Sequence, residues 1–382
     1  MPVKLRVSMW LVRTAILGLL VFVVGMPATR VWAQDLVIAV AGPMTGNYAQ
    51  YGKFMRTNVE LAAQQVNAKG GINGRKIQVV VEDDGMDPKQ APVVAQRLTL
   101  RPEVLAVVGH FSSTTCLAAV PIYDRGKLVV ISPSATSPDL AGSSPYWFRI
   151  LVTDQEVSVK LGEYAADKLK AKRLAILYAQ AAGAISQAEW FEETLKRKGG
   201  EIILKEPHEI GTKDFTAVLT KVAGLKPDLI FFPAYIAEGA PLVRQARELG
   251  YKGALMGTDA MYTPELPSLA GAAADGVYAP AFFHPADSRP EARAYVEAYR
   301  AKYGELPEAY GANSYDAANL IFEAIRKGGA TREAIQKYMD GVGTRQPAFA
   351  GVTGSAAFDA KHNVTKPLSV AILKGGQWEL VK

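Results

Sequence analysis

Residues 104–138 read VLAVVGHFSSTTCLAAVPIYDRGKLVVISPSATSP, and this stretch decides the fold. It contains two short apolar runs, at residues 104–108 and 128–131, with a helical pattern between them. Such β-branched runs, bounded by turn residues, are typical of buried strands. Because strands alternate here with helices, the stretch predicts a parallel sheet. Ligands of such sheets bind at the carboxyl ends of the strands.

Each of the two apolar runs ends in a cluster of hydroxyl side chains, at residues 112–115 and 132–137. Helices that follow such loops offer unpaired N–H groups and a partial positive charge, which suits a carboxylate. Ser and Thr are also the usual residues of helix caps and turns. The two loops therefore indicate either half of a site for a small anion or zwitterion, or ordinary capping.

The first 33 residues have the pattern of a secretory signal peptide. Basic residues precede an apolar stretch at 15–25, and Val31-Trp32-Ala33 forms a small-x-small cleavage pattern. The apolar stretch is too short to span a bilayer comfortably. We expect cleavage near Ala33–Gln34 and an exported, soluble protein of the periplasm.

Composition narrows the class of protein further. The leader carries four bases and no acids, which leaves 39 bases against 37 acids in the rest of the chain. Because basic and acidic residues are nearly balanced, the composition does not indicate a protein that binds nucleic acids. The single cysteine, Cys116, excludes an internal disulfide, and its apolar surroundings predict buried packing.

Enzyme and cofactor motifs are not found in the sequence. Ser113 lies close to His110, but the context is not the Gly-x-Ser-x-Gly elbow of a hydrolase. No Walker loop, zinc pair or dinucleotide fingerprint is present. We therefore expect a protein that is not an enzyme and that has no cofactor and no metal site.

Two successive series of strands and helices predict two α/β lobes. A helical tail follows, and the chain closes with short strands. Such a tail has to pack back on the earlier lobes, which gives several crossings that can act as a hinge. We predict residues 34–152 with 281–362 for lobe I, and 153–280 with 363–382 for lobe II.

Several stretches in this order resemble one known family. They are MTGNYAQYG at 44–52, NAKGGI at 67–72, the acids 83–84 with DPKQA at 87–91, the loop from Gly109, residues 132–140, RQAR at 244–247 and Met256-Gly257. Together they resemble the periplasmic leucine/isoleucine/valine-binding proteins of ABC transporters. The resemblance implies the periplasmic binding protein type I fold, with two doubly wound α/β lobes joined by a multi-strand hinge.

The resemblance also implies a function. A monomer would bind an amino acid, branched-chain or related, between its lobes and deliver it to the permease subunits of an ABC importer. Alternatives are the same fold binding another small carboxylate or amide, such as an aromatic acid, or a ligand-sensing receptor domain. The ligand-binding residues implied are Ser113, Ser134, Ala135, Thr136, Tyr235, Asp259, Tyr51 and Gly183.

Each of these residues has an implied role. Ser113 and Thr136 would bind the ligand carboxylate, while the Ser134 carbonyl and the Thr136 hydroxyl would face its ammonium. Asp259 would supply the counter-charge of the ammonium, although an Asp after a strand often caps a short helix instead. Tyr235 would close over the polar end, unless it is only an interface aromatic. Tyr51 would wall the side-chain pocket.

Two positions depart from the family pattern. Cysteines that form a bridge in model members of the family are replaced here by Met86 and Ser112. An aromatic residue of the pocket is replaced by Gly183. The second change would leave room beside the ligand side chain, so that a different or larger ligand would fit.

Overall fold

The first sheet of the molecule is formed by the N-terminal strands. The computed structural model describes residues 35–381, so the predicted signal peptide lies outside the described residues. The strands are β1 (Leu36–Gly42), β2 (Ile77–Asp83), β3 (Val104–Gly109), β4 (Val129–Ser132) and β5 (Trp147–Arg149). They are all parallel and lie in the order β2-β1-β3-β4-β5. Every residue of β1 and β3 is buried, as expected for strands covered on both faces.

The second sheet has seven strands. The remaining strands are β6 (Arg173–Ala179), β7 (Glu201–His208), β8 (Leu229–Phe232), β9 (Ala254–Gly257), β10 (Val277–Ala281), β11 (Phe349–Gly351), β12 (Gly354–Ala356), β13 (Ser369–Lys374) and β14 (Gln377–Leu380). The sheet has the order β14-β13-β10-β9-β8-β6-β7, in which β13 and β14 run antiparallel to their neighbours. Strands β11 and β12 form a separate antiparallel hairpin.

The helices connect and cover the two sheets. They are α1 (Ala49–Ala68), α2 (Gln90–Thr99), α3 (Ser113–Arg125), α4 (Asp154–Asp167), α5 (Ala182–Arg197), α6 (Thr216–Leu225), α7 (Ile236–Glu248), α8 (Glu265–Ala270), α9 (Pro290–Tyr303), α10 (Ala309–Gly328) and α11 (Arg332–Met339). Among residues 35–381, no helix combines the length and the apolar character needed to cross a membrane.

The chain passes between the two sheets three times. It leaves the first sheet after β5 and the second after β10, and it returns to the second at β13. Between the last two crossings, α10 packs on α1 and α11 packs on β3. The predicted fold of two α/β lobes is confirmed. We call the part built on the five-stranded sheet lobe I and the part built on the seven-stranded sheet lobe II; the residue boundaries given above stay a prediction.

Local sequence features account for the extent of several elements. Helix α4 begins at Asp154 because Thr153 and Glu156 form a capping box. Strand β7 includes Pro207, which is tolerated because β7 is an edge strand. Helix α6 buries only Leu219 and Val222, so its sequence carries little periodicity.

Candidate functional site

The two hydroxyl loops of lobe I lie side by side at the carboxyl ends of β3 and β4, as predicted. The Ser113 Oγ accepts hydrogen bonds from the backbone N–H groups of Thr136 (3.2 Å) and Ser137 (3.1 Å). The Ser134 hydroxyl donates to the carbonyl of Phe111 at 2.6 Å. Because the Ser113 oxygen already accepts two bonds, its own hydrogen is available to donate to a ligand.

A small cavity lies between these loops and lobe II. The carboxyl-end loops of both sheets form its walls, so a ligand inside it touches both lobes. Six of the eight predicted ligand-binding residues line it, and Ala135 and Tyr51 do not. Its lining consists of Phe111, Ser112, Ser113, Ser134, Thr136, Gly183, Ala184, Gln187, Ala234, Tyr235, Thr258, Asp259, Ala260 and Tyr310.

Asp259 is the acid of lobe II at this cavity. Its carboxylate accepts hydrogen bonds from Gln187 Nε2 (3.0 Å, at Oδ1) and from the Tyr310 hydroxyl (2.6 Å, at Oδ2). Burial raises the pKa of Asp259, and these two hydrogen bonds act in the opposite direction. Thr258, not Asp259, is the N-cap of the short helix that follows. The carboxylate is therefore turned toward the cavity and toward lobe I, in which Tyr310 lies.

Tyr235 and Gly183 belong to the lobe II wall of the cavity. Tyr235 precedes α7, and its ring lies 6.4 Å from that of Phe111. A Cβ atom added at Gly183 would lie 3.3 Å from Ser113 Oγ and 3.6 Å from Thr136 Oγ1. Gly183 therefore lies in close contact with the hydroxyl groups of the two loops of lobe I. The expected room beside the ligand side chain stays a prediction.

Tyr51 and Ala135 support the site from behind. The Tyr51 ring stacks on Phe111 at 4.2 Å, and its hydroxyl accepts from the N–H of Ile236 at 3.0 Å and donates to the carbonyl of Ala260 at 3.2 Å. Tyr51 therefore joins the lobes. Phe111 lines the cavity in the place that was predicted for Tyr51. The carbonyl of Ala135 points away from the cavity and accepts from Arg149 at 3.3 Å.

Arg149 was not singled out in the sequence, although it holds the second hydroxyl loop in place. Its side chain is fully buried, and its guanidinium donates to the carbonyls of Ala135 and Ser137. Arg149 is the last residue of β5, and no motif or spacing around it indicates this role. Gln187 lies one helical turn after Gly183, so the helical spacing of α5 does connect it to the site. Tyr310 comes from a distant helix, and no local pattern indicates it.

The acidic residues 82–87 differ in exposure, since Asp83 is exposed and Asp84 is fully buried. The Asp84 Oδ2 lies 2.6 Å from Nδ1 of His110, whose Nε2 lies 2.9 Å from the Tyr123 hydroxyl. His110 therefore packs under the first hydroxyl loop, between Asp84 and Tyr123. In the part of the chain that the structure describes, no group of three or more His, Cys, Asp or Glu side chains is arranged to hold a metal ion.

The sequence and fold of the chain match known proteins along most of its length. A family model described as periplasmic binding protein matches residues 35–377. The chain belongs to this family. An amino acid binding protein of Pseudomonas aeruginosa is 36% identical over 304 residues, which cover 78% of this chain and 80% of that protein. The leucine-, isoleucine-, valine-, threonine-, and alanine-binding protein of the same organism is 30% identical over 89% of this chain and 90% of its own length.

Solved structures agree with this assignment. The branched-chain amino acid transporter substrate binding protein LivJ from Streptococcus pneumoniae, in complex with isoleucine, has a TM-score of 0.85 and 31% identity, and the match covers 91% of this chain and 99% of that one. A solute binding protein of an ABC transporter from R. palustris, in complex with benzoate, shares the fold with a TM-score of 0.83 at 21% identity, over 91% and 95% of the two chains.

Proposed function

We propose that this protein is the periplasmic substrate-binding protein of an ABC importer and that it binds an amino acid, branched-chain or related, between its lobes. The observation that carries the proposal is one cavity with a hydroxyl donor, Ser113, on lobe I and a buried carboxylate, Asp259, on lobe II. The protein would act as a monomer, would need no cofactor, and would return its ligand chemically unchanged to the permease.

The chemistry of the cavity fits a zwitterion. An amino acid that leaves water loses the hydration of two charged groups, so both ends need hydrogen bonds and fixed opposite charge in the protein. The Ser113 hydroxyl suits the carboxylate, while Asp259 suits the ammonium. The Thr136 hydroxyl also belongs to a residue that lines the cavity, and it can serve either end.

Closure of the lobes would couple binding to transport. Hydrogen bonds already join the lobes around the cavity: Tyr310 donates to Asp259, and the N–H of Ala182 donates to Thr114 Oγ1 at 3.1 Å. A ligand that touches both lobes favours the closed state by its differential contacts, and the permease would recognise that state.

Small-angle scattering combined with a thermal-shift screen tests the proposal. Saturating L-isoleucine, L-leucine or L-alanine should raise the melting temperature, because a ligand stabilises the folded state once its concentration exceeds the dissociation constant. The ligands that raise the melting temperature should also lower the radius of gyration. Chromatography of the ligand recovered after incubation should show that it is chemically unchanged. If no amino acid changes the melting temperature or the radius of gyration, the proposal is contradicted.

A second candidate function is binding of a small carboxylate that has no ammonium. The observation in its favour is that both oxygens of Asp259 already accept hydrogen bonds, from Gln187 and Tyr310. A relative of the same fold was solved with benzoate. Stabilisation by benzoate that exceeds the stabilisation by every amino acid would favour this function over the first.

A further inference from the structure

Asp259 receives two side-chain donors from the protein itself, one from each lobe. Gln187, which lies in α5 of lobe II, donates from Nε2 to Oδ1 of Asp259 at 3.0 Å. Tyr310, which lies in α10 of lobe I, donates its hydroxyl to Oδ2 at 2.6 Å. All three residues are buried and line the cavity. Each oxygen of the carboxylate therefore has a donor that does not belong to the ligand.

The donors of a buried carboxylate decide which ligands the closed cleft accepts. Removing one partner of a desolvated charge pair leaves the other charge uncompensated, which is strongly unfavourable. If the ligand ammonium were the sole donor to Asp259, a ligand without an ammonium would be excluded. Because Gln187 and Tyr310 donate hydrogen bonds to Asp259, its charge stays partly compensated when the ligand is a plain carboxylate.

These two donors also leave room for an ammonium. An ionised carboxyl group has about four acceptor positions on its two oxygens. The bonds from Gln187 and Tyr310 occupy one position on each oxygen of Asp259. A ligand ammonium can use a position that remains. The arrangement therefore suits an amino acid and also a carboxylate of the same size that lacks the ammonium.

The Tyr310 hydroxyl is held in place by the packing of its residue. The Tyr310 ring lies edge to face on that of Phe111, with the ring centroids 4.9 Å apart. Its backbone N–H donates to the carboxylate of Glu308, the N-cap residue of α10, at 2.7 Å. The bond from Tyr310 to Asp259 spans the cleft, whereas the bond from Gln187 lies within lobe II. Tyr310 therefore completes the donors of Asp259 when the lobes close.

We propose that Tyr310 is a specificity-determining residue, whose hydroxyl takes the place of the ligand ammonium at Asp259 and lets the cleft close on small carboxylates without an ammonium. The inference rests on the proposed function, which assigns the ligand carboxylate to Ser113 and the ammonium to Asp259. It widens the ligand class to amino acids together with their analogues that lack the ammonium. Tyr310→Phe frees an acceptor position on Asp259, which an ammonium can fill and a plain carboxylate cannot.

L-leucine and isocaproate form a matched pair of probes for this role. Isocaproate has the carbon skeleton and the carboxylate of L-leucine and lacks only its ammonium group. Calorimetric titration of the mature protein should show that wild type binds both. In Tyr310→Phe, the affinity for isocaproate should fall about tenfold to a hundredfold, because a hydrogen bond to a charged group is lost. The affinity for L-leucine should fall less, so that the ratio of the two affinities rises about tenfold.

Two controls separate this role from closure of the lobes. Tyr48→Phe removes another bond between the lobes, from the Tyr48 hydroxyl to the carboxylate of Glu238, and Tyr48 does not line the cavity. It should lower both affinities by the same factor and leave their ratio unchanged. In an Asp259→Ala background, Tyr310→Phe should have no further effect on the affinity for isocaproate, because the carboxylate that the hydroxyl serves is gone.

Wild type alone provides a further readout. Binding of isocaproate near neutral pH, titrated in buffers of different ionisation enthalpy, should take up no protons, because Asp259 keeps its charge and its donors. Uptake of a full proton would mean that Asp259 is neutralised by protonation, which overturns the role of Tyr310. This measurement needs no variant, so it decides the question even if Tyr310→Phe does not fold.

The outcomes separate this inference from the proposed function. Wild type that binds L-leucine but not isocaproate, or equal losses of both affinities in Tyr310→Phe, overturns the role of Tyr310 and leaves the proposed function standing. A loss of isocaproate affinity that persists in the Asp259→Ala background also overturns it, because the hydroxyl would then contact the ligand directly. Wild type that binds no amino acid overturns the proposed function itself.

Discussion

The two faces of the cleft hold their polar groups in different ways. On the lobe I face, Ser113 receives its hydrogen bonds from Thr136 and Ser137 of the same lobe. On the lobe II face, Asp259 accepts a hydrogen bond from the Tyr310 hydroxyl of the other lobe, and the N–H of Ile236 donates one to the Tyr51 hydroxyl. The first face is therefore organised whether the cleft is open or closed, whereas the second is completed only on closure.

This difference predicts the order of events in binding. A ligand would dock its carboxylate on the organised lobe I face first, at little cost in conformational entropy. Lobe II would then close and add its contacts to the ligand and to lobe I. Substitutions on the lobe I face should accordingly lower the affinity for every carboxylate ligand. The effect of substitutions on the lobe II face should depend on which ligand is bound.

Removal of the lobe II acid should have the largest effect. Asp259→Ala takes away one partner of a desolvated charge pair, which typically costs about 3–5 kcal/mol, or on the order of a hundredfold to several thousandfold in affinity. L-isoleucine binding should be nearly abolished, while any benzoate binding should be retained. Asp259→Asn should lose less, because it keeps a carbonyl acceptor.

Calorimetry with both ligands checks this prediction, with Asp275→Ala as the control at an exposed aspartate of lobe II. Ligand-free melting curves show whether each variant is folded. If Asp259→Ala binds L-isoleucine within about threefold of wild type, a difference under 1 kcal/mol, the ammonium does not meet Asp259.

Loss of the lobe I donor should have a smaller effect that is the same for all carboxylates. Ser113→Ala removes the hydroxyl that donates to the ligand and leaves the N–H groups of Thr136 and Ser137 without an acceptor. A hydrogen bond to a charged group contributes about 1.5–3 kcal/mol, so affinity should fall about tenfold to a hundredfold. The exposed Ser143, whose hydroxyl bonds within its own turn, provides the control Ser143→Ala. A loss confined to amino acids would contradict the lobe I assignment of the carboxylate.

The parts of the site that the sequence predicted are those that follow directly from a strand. Ser113, Thr136 and Asp259 each come after a short apolar run, and the carboxyl ends of parallel strands lie at one edge of a sheet. The first sheet alone then fixes the position of Ser113 relative to Thr136, whereas Asp259 follows β9 of the second sheet. The fold could be predicted from the sequence for a similar reason, because alternating strands and helices dominate the chain.

The parts that the sequence missed depend on packing between distant segments. Tyr310 reaches Asp259 from a position 51 residues away, and Asp84 reaches His110 from 26 residues away. Asp154 is fully buried, and its backbone N–H donates to the carbonyl of Thr136 in the second hydroxyl loop. No periodicity or spacing encodes such contacts, because an isolated acid in a polar stretch looks the same whether it is exposed or buried.

The smallest expected effect tests closure without touching the ligand. The Tyr48 hydroxyl of lobe I donates to the buried carboxylate of Glu238 in lobe II, which also accepts from the N–H of Gly211. Tyr48 does not line the cavity, so Tyr48→Phe should weaken only the closed state. The loss of one hydrogen bond, about 1 kcal/mol, should raise the dissociation constant about fivefold, equally for L-isoleucine and benzoate.

Calorimetry and small-angle scattering check this effect against Tyr303→Phe, which removes a hydroxyl bonded to the carbonyl of Thr57 within lobe I. The Tyr303 variant keeps every contact between the lobes, so its affinity should stay at the wild-type level. The ligand-free radius of gyration should increase for Tyr48→Phe alone, since the open state becomes more populated. An affinity loss that differs between the two ligands would mean that Tyr48 acts on the cavity itself. A loss shared with Tyr303→Phe would mean that the tyrosine acts on the stability of lobe I, and the bond across the cleft would then have no separate role in closure.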